Sequence, residues 1–580
     1  MRNCKTAQRQ RIFFSFAVIC VMTLGLVGRL AYLMIGKADY YGKKAKEVQQ
    51  RERAIKAERG VIYDRNGVVL AGNKPVSTIS VIHNQITDKE QVIRVLSELL
   101  ELKEEDVRKR VEKKSSREKI KTNVEKEISD KIRQMNLDGV MVDEDYKRYY
   151  PYNELASKVI GFAGGDNQGI LGLEVKYDEN LSGQDGSILT TTNAKGLEID
   201  GATEDRIEPV AGDNLYCSLD VNLQKFAQQA AQKVMKSKNA KNVRIIMMNP
   251  QNGEIYAMVN EPEFNLNEPY ELEKKNVTQK EKEELLNQMW RNHCISDTYE
   301  PGSTFKVITA ASALEAGVVK TTDTFSCPGY RVVEDRRIRC HKTTGHGAET
   351  FVQGVQNSCN PVFIEVGARL GVDGMYRYMN QLGILEKTGV DVPGEAVTIM
   401  HQKKNVGAVE LATMSFGQSF QLTPLRLLTS VSAVINGGRL VTPHFGIRLE
   451  SADRTAVKKL HYQEKDDALS QNTSEVMKTI LASVVSEGSG KKAAVSGYEV
   501  GAKTGTSEKL PRSSKRYIAS TLGFAPADNP VLLAIVLIDE PEGIYYGGQI
   551  AAPVISELLD DALPYLGVER ATKKESSDGN

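Results

Sequence analysis

The sequence predicts an α+β protein: an antiparallel sheet with helices, standing on a mixed α/β extension behind one N-terminal membrane-spanning helix. Three observations predict this. Strand-like runs, 244–259 and 519–539, lie at both ends of the C-terminal part, with mainly helical sequence between them. An apolar run, Ile12 to Gly28, follows Arg2, Lys5, Arg9 and Arg11. Between anchor and strands lie hairpin, helix and turn patterns that hold no catalytic grouping.

At 580 residues the chain exceeds one ordinary domain. A formal charge of +1, with no basic run interleaved with aromatics, argues against nucleic acid as a partner. Seven cysteines do not suit a disulfide-framework protein of this size. The seven histidines include no His-Glu-x-x-His pair, so no metal and no cofactor are expected.

Residues 1–11 read as a cytoplasmic N-terminus and 12–36 as a transmembrane anchor. The run of seventeen residues is near the lower limit for a bilayer, but Arg29 can snorkel and a short apolar piece continues to Ile35. The basic flank places the N-terminus inside, so everything from about Lys37 onward is expected outside the membrane. No small-x-small cleavage site follows the run, which favours a retained anchor over a signal peptide.

The extension, 37–210, opens with β-rich pieces around the Asn66-Gly67 turn, a hairpin signal. A helix is expected from Asp88 to about Lys114, with Val92, Val95, Leu96, Leu99 and Leu100 on one face. The charged stretch from Lys113 to Arg133 reads as solvated helix. The second domain, 211–566, opens with a strand at 213–220 and a helix from Val221, then strands at 244–250 and 253–259. From Ser303 to about Gly437 the pattern is mainly helical, and a helix with Ile555, Leu558, Leu559, Ala562 and Leu563 on one face follows the last strands. The polar tail, 567–580, reads as disordered.

The chemistry gathers at Glu300-Pro301-Gly302-Ser303-Thr304-Phe305-Lys306, where a Pro-Gly turn opens an Ala-rich helix that stops at Gly317. A spacing of three puts the Ser303 hydroxyl and the Lys306 amine on one helix face. A lysine kept neutral by burial or a second cation could accept the serine proton. Alone the pattern is weak: Ser116 to Lys119 and Ser489 to Lys492 repeat it, and Ser303 could be a plain N-cap. Ser358-Cys359-Asn360 follows 55 residues after Ser303, and Lys503-Thr504-Gly505-Thr506 another 145 after Ser358. Decoys exist here too, at Ser237-Lys238-Asn239, Ser470-Gln471-Asn472 and Lys387-Thr388-Gly389, but in polar or loop-like surroundings. Only Lys503 precedes a strand pair along which a substrate could lie.

Ser-x-x-Lys, Ser-x-Asn and Lys-Thr-Gly in this order form the signature of penicillin-binding proteins and class A β-lactamases. With the anchor, Arg59-Gly60-Val61-Ile62-Tyr63-Asp64-Arg65-Asn66-Gly67, Gly172-Leu173-Glu174, Tyr299-Glu300-Pro301-Gly302-Ser303 and Phe416-Gly417-Gln418, the chain resembles the class B penicillin-binding proteins over nearly its whole length. The resemblance implies a serine β-lactamase-like transpeptidase domain on a pedestal of the dimerisation type. It implies a D,D-transpeptidase outside the cytoplasm that crosslinks peptidoglycan stem peptides between a D-Ala-D-Ala donor and an amine acceptor. β-Lactams would inhibit it, and a membrane glycan polymerase of the shape, elongation, division and sporulation type would be its partner.

By that resemblance Ser303 is the nucleophile and Lys306 its base, with burial and the charge of Lys503 lowering the Lys306 pKa. Ser358 relays a proton to the leaving amine, and Asn360 holds the donor amide. Lys503 and Thr504 meet the terminal carboxylate, Gly505 leaves room for the peptide, and backbone N–H groups of Ser303 and Thr506 form the oxyanion hole. Other readings remain: a carboxypeptidase or β-lactamase using water as acceptor, or a β-lactam sensor or non-catalytic scaffold. Cys327 and Cys340, flanking an expected hairpin, could form a disulfide, stay as free thiols, or join His341 and His346 at zinc, the last with irregular ligand spacing.

Overall fold

The computed structural model describes residues 2–115, 117–191 and 205–571. The tail expected to be disordered lies largely outside them, as do Ser116 of one decoy and residues 192–204 of the extension.

The chain divides into two compact units, each assembled from separated segments. The first comprises Met1–Glu58, Lys74–Lys147 and Gln184–Ala211. Its helix Arg2–Ala31 continues through a π turn, Tyr32–Gly36. The apolar span Gln8–Gly36 has 29 residues, more than the twenty or so that cross a bilayer. Farther on, Val76–Val81 pairs antiparallel with Glu118–Glu125. Helices Lys89–Leu100, Glu104–Val111 and Lys126–Gln134 surround a small core of Ile79, Val81, Leu96, Val107, Ile120 and Ile132. The charged stretch expected to be helix is therefore strand up to Glu125. Ile120 and Val124, the buried pair in that strand, sit four apart, a spacing that fits one face of a strand as well as a helix.

The second unit comprises Arg59–Asn73, Arg148–Gly183 and Gly212–Asn580. A single boundary near residue 210 is expected from the sequence, but two earlier segments join this unit. They are joined to it by the parallel pairing of Ile62–Tyr63 with Leu215–Tyr216 and by the Tyr177 hydroxyl donating to Asp391 at 2.6 Å. They are joined to each other by a buried ionic knot: the Arg59 guanidinium meets Glu174 at 2.6 Å and Asp178 at 2.8 Å, while Arg148 meets Glu174 at 2.7 Å. Burial alone would raise the pKa of Glu174, but the two guanidiniums outweigh it and hold the group below its ordinary value.

A five-stranded antiparallel sheet forms the centre, in the spatial order Ile255–Glu261, Asn242–Met248, Leu532–Asp539, Tyr517–Ala525, Gly501–Glu508. The central strand, Leu-Leu-Ala-Ile-Val-Leu-Ile-Asp, is buried along its whole length, as a strand covered on both faces must be. Helices Val221–Lys238 and Ala552–Tyr565 cover one face. Asp220 caps the former through the N–H groups of Asn222 and Leu223, and Asn239 in the left-handed region ends it. Helices Lys306–Glu315, Pro424–Ile435 and Gln471–Ser486 belong to the large core on the other face. The region expected to be mainly helical also holds four short strands, paired as Thr324–Cys327 with Gly347–Thr350 and Tyr330–Val333 with Arg336–Arg339. Lys503 precedes the strand pair Tyr517–Ala525 and Leu532–Asp539, as expected, and itself sits on the edge strand.

Candidate active site

Ser303 lies on a 3-10 turn, Gly302–Phe305, that runs directly into helix Lys306–Glu315. Pro301 precedes the turn without any side-chain cap, so Ser303 is free of the capping role. Gly302 has φ +56°, and a Cβ there would stand 2.6 Å from Ser507 Oγ. Its N–H donates to the Gly417 carbonyl at 2.8 Å, and a Cβ on Gly417 would collide with the Gly302 carbonyl oxygen. Glycine is thus needed at both positions for the turn to pack between its neighbours. Glu300, buried beside it, accepts from the Ser419 N–H at 2.8 Å and pairs with Arg512 at 3.1 Å.

Lys306 is fully buried one turn from Ser303. Its Nζ donates to the Ser358 carbonyl at 2.7 Å, to Ser358 Oγ at 3.2 Å and to Asn360 Oδ1 at 2.8 Å. These bonds join the first two motifs directly. Burial pushes the Lys306 amine down to about 8. Ser358 adopts φ +52°, a left-handed conformation that costs a non-glycine residue about 1–3 kcal/mol. Asn360 begins helix Asn360–Gln381, and its Nδ2 donates to the Arg339 carbonyl at 3.0 Å.

The third motif approaches from the sheet edge. Lys503 pairs with Leu522, Gly505 with Ser520 and Thr506 with Ala519 across the antiparallel ladder. Lys503 is fully buried, and its amine has one acceptor, the Thr504 carbonyl at 3.2 Å. Burial lowers its pKa well below the ordinary value, and the charge of Lys306 lowers it further. The sequence reading assigned this mutual effect to Lys306. Repulsion between two ammonium groups is mutual, so a charge on either one favours the neutral form of the other. Thr504 Oγ1 reaches Ser489 Oγ at 3.4 Å, and Thr506 Oγ1 accepts from the Gly547 N–H at 3.1 Å.

Gly505 lies against the nucleophile turn. A Cβ there would meet Ser520 Oγ at 2.7 Å and Thr304 Cγ2 at 3.0 Å. The missing side chain therefore makes room for the nucleophile turn to lie against the strand.

Cys327 and Cys340 are both free thiols, not a disulfide. With His346 and Cys359 they form a group whose ligand atoms all lie within 4.8 Å of one another. His341 Nδ1 stands 3.8 Å from Cys340 Sγ but is outside that group. Three of the four, Cys327, Cys340 and His346, belong to the zinc alternative the sequence offers; Cys359 stands where His341 is expected. Cys359 lies between the two polar residues of the second motif.

The chain matches two family models, the Penicillin binding protein transpeptidase domain over residues 243–560 and the Penicillin-binding Protein dimerisation domain over 54–217. Stage V sporulation protein D of Bacillus subtilis is 38% identical over 578 residues, covering 98% of this chain and 88% of the relative. Peptidoglycan D,D-transpeptidase FtsI of Escherichia coli is 28% identical, covering 96% of this chain and 93% of its own. Among solved structures, Penicillin Binding Protein 2X from Streptococcus thermophilus aligns with a TM-score of 0.74 at 21% identity, covering 89% of this chain and 81% of that one.

Proposed function

The chain belongs to the class B penicillin-binding proteins, the peptidoglycan D,D-transpeptidases, and from that premise we propose that Ser303 carries the acyl transfer with Lys306 as its base. The observation that carries this assignment is the set of bonds from the Lys306 amine to Ser358 and Asn360, one helical turn from the serine. An ammonium fills all three acceptors. A neutral amine can donate only two hydrogens and has a lone pair left for the Ser303 hydroxyl. With a pKa near 8, a useful fraction is neutral at physiological pH.

In the proposed cycle, Ser303 Oγ attacks the D-Ala-D-Ala carbonyl of the donor as its proton passes to Lys306. The N–H groups of Ser303 and Thr506 stabilise the oxyanion, each worth about 3 kcal/mol. Ser358 relays the proton to the departing D-Ala amine, and Asn360 orients the donor amide. The terminal carboxylate rests on Lys503 and Thr504. A carboxylate beside Lys503 favours its charged form, and the two ammonium groups then repel, which presses Lys306 to release its proton. A stem-peptide amine resolves the ester, and a β-lactam would acylate the same serine.

The basic N-terminal flank supports a cytoplasmic N-terminus and an active site outside the membrane. A glycan polymerase in the same membrane is the proposed partner. The higher identity to the sporulation protein than to FtsI supports a role in sporulation. Intact-mass analysis after penicillin treatment, followed by peptide mapping, tests the assignment. One adduct on Ser303, absent from Ser303→Ala, is expected; an adduct that persists in that variant overturns it.

A further inference from the structure

Four ligand-type side chains beside the second motif have no role in acyl transfer. Cys327 ends strand Thr324–Cys327, Cys340 follows strand Arg336–Arg339, His346 precedes strand Gly347–Thr350, and Cys359 stands at the start of helix Asn360–Gln381. All three thiols are at most 2% exposed, and the His346 side chain is 8% exposed. Their sulfur and nitrogen atoms fall within 4.8 Å of one another, with Cys340 Sγ 3.7 Å from His346 Nδ1.

A tetrahedral zinc ion with bonds of about 2.0–2.3 Å sets its ligand atoms about 3.5–3.8 Å apart. The four groups need only a small contraction to reach that geometry. A disulfide between any two of the thiols would leave the third thiol and the imidazole buried together without a common partner. Glu349 adds an independent sign. It is 4% exposed, and its Oε1 has no hydrogen-bond partner although it lies 3.8 Å from His346 Nδ1. A buried carboxylate oxygen without a partner, facing the same nitrogen as Cys340, leaves negative charge at the group that a cation would compensate.

We propose that Cys327, Cys340, His346 and Cys359 bind one zinc ion, and that this ion positions the second catalytic motif. Four protein ligands close the coordination shell, so the ion is structural and takes no substrate. On binding, the three thiols release three protons to solvent and the imidazole coordinates in its neutral form. Cys359 lies between Ser358 and Asn360, the two residues that hold the Lys306 amine. The metal therefore ties the loop carrying them to the strands behind it and supports the left-handed backbone at Ser358. This positioning role rests on the transpeptidase reading; the presence of the metal does not.

The test uses the purified full chain. Elemental analysis is expected to give about one zinc per chain. The three thiols should resist alkylation until a chelator is added, and cobalt(II) exchange should give thiolate-to-metal absorption. His346→Gln and Cys327→Ser should each weaken zinc binding by more than about 10-fold, whereas His341→Gln should not. If those variants do not fold, chelation of the wild-type chain supplies the readout: penicillin acylation should slow by about 10-fold or more and recover when zinc is restored. Ser303→Ala should keep its zinc while losing the penicillin adduct, which separates failure of this proposal from failure of the catalytic assignment. A reloaded chain without zinc, a mass two hydrogens light from a disulfide among these cysteines, or acylation unchanged by zinc removal would overturn the proposal.

Discussion

The two walls of the cleft are built in opposite ways. Lys503, Thr504, Gly505 and Thr506 sit on a strand whose eight residues are each paired across a ladder, so the backbone alone fixes where those side chains stand. Ser358 and Asn360 sit where no ladder reaches. Ser358 in the left-handed region ends helix Phe351–Gln356, with its N–H on the Val355 carbonyl and that of Cys359 on the Gly354 carbonyl. The side chains are then held by the three bonds from Lys306 and the buried cysteine and histidine group behind them. A regular element tolerates the loss of one contact because its neighbours keep the geometry, whereas a loop held by side chains does not. Substitutions on the loop wall should thus spoil catalysis, and those on the strand wall should act through packing or ligand affinity.

The largest effect should come from Lys306→Met, which removes the amine that bridges the motifs. Acylation by penicillin should fall by about 10³-fold or more, read by stopped-flow or fluorescent-penicillin labelling. A loss under tenfold would break the comparison, since the loop wall would then not depend on that bridge. Gly505→Ala should instead act on stability. Its Cβ meets Ser520 Oγ and Thr304 Cγ2, and overpacking of that kind costs about 1–3 kcal/mol, seen as a lowered denaturant midpoint. The smallest effect separates backbone from hydroxyl at Ser358. Ser358→Gly and Ser358→Ala both lose the proton relay, but only glycine adopts φ +52° freely. The glycine variant should be the more stable by about 1 kcal/mol in urea unfolding, with acylation equally slow in both.

This contrast also explains what the sequence could disclose. The nucleophile turn and its partners are legible because each combines a reactive side chain with glycine or proline at a fixed short spacing, and the strand positions because the apolar runs at 517–525 and 532–539 are continuous. The cysteine and histidine group was legible only in part: Cys327, Cys340 and His346 stand 13 and 6 residues apart in one short stretch, whereas Cys359, 13 residues further and inside the second motif, is joined to them by tertiary structure and not by a local motif. The contact of Gly505 with the nucleophile turn was not legible for a similar reason. A missing side chain shows in sequence, but whether protein or ligand fills the space does not. The strand Glu118–Glu125 was read as helix because its charges mask the few apolar positions, which the helix period also fits.

The dependence of acylation on pH tests the central claim most directly. The claim is that a lysine neutralised by burial, and not a histidine, activates Ser303. Only the neutral amine accepts a proton, so the penicillin acylation rate of the wild-type chain should rise with pH and level off above about 8. A rate that stays flat through that range, or that falls as pH rises from 6 to about 8, would contradict it.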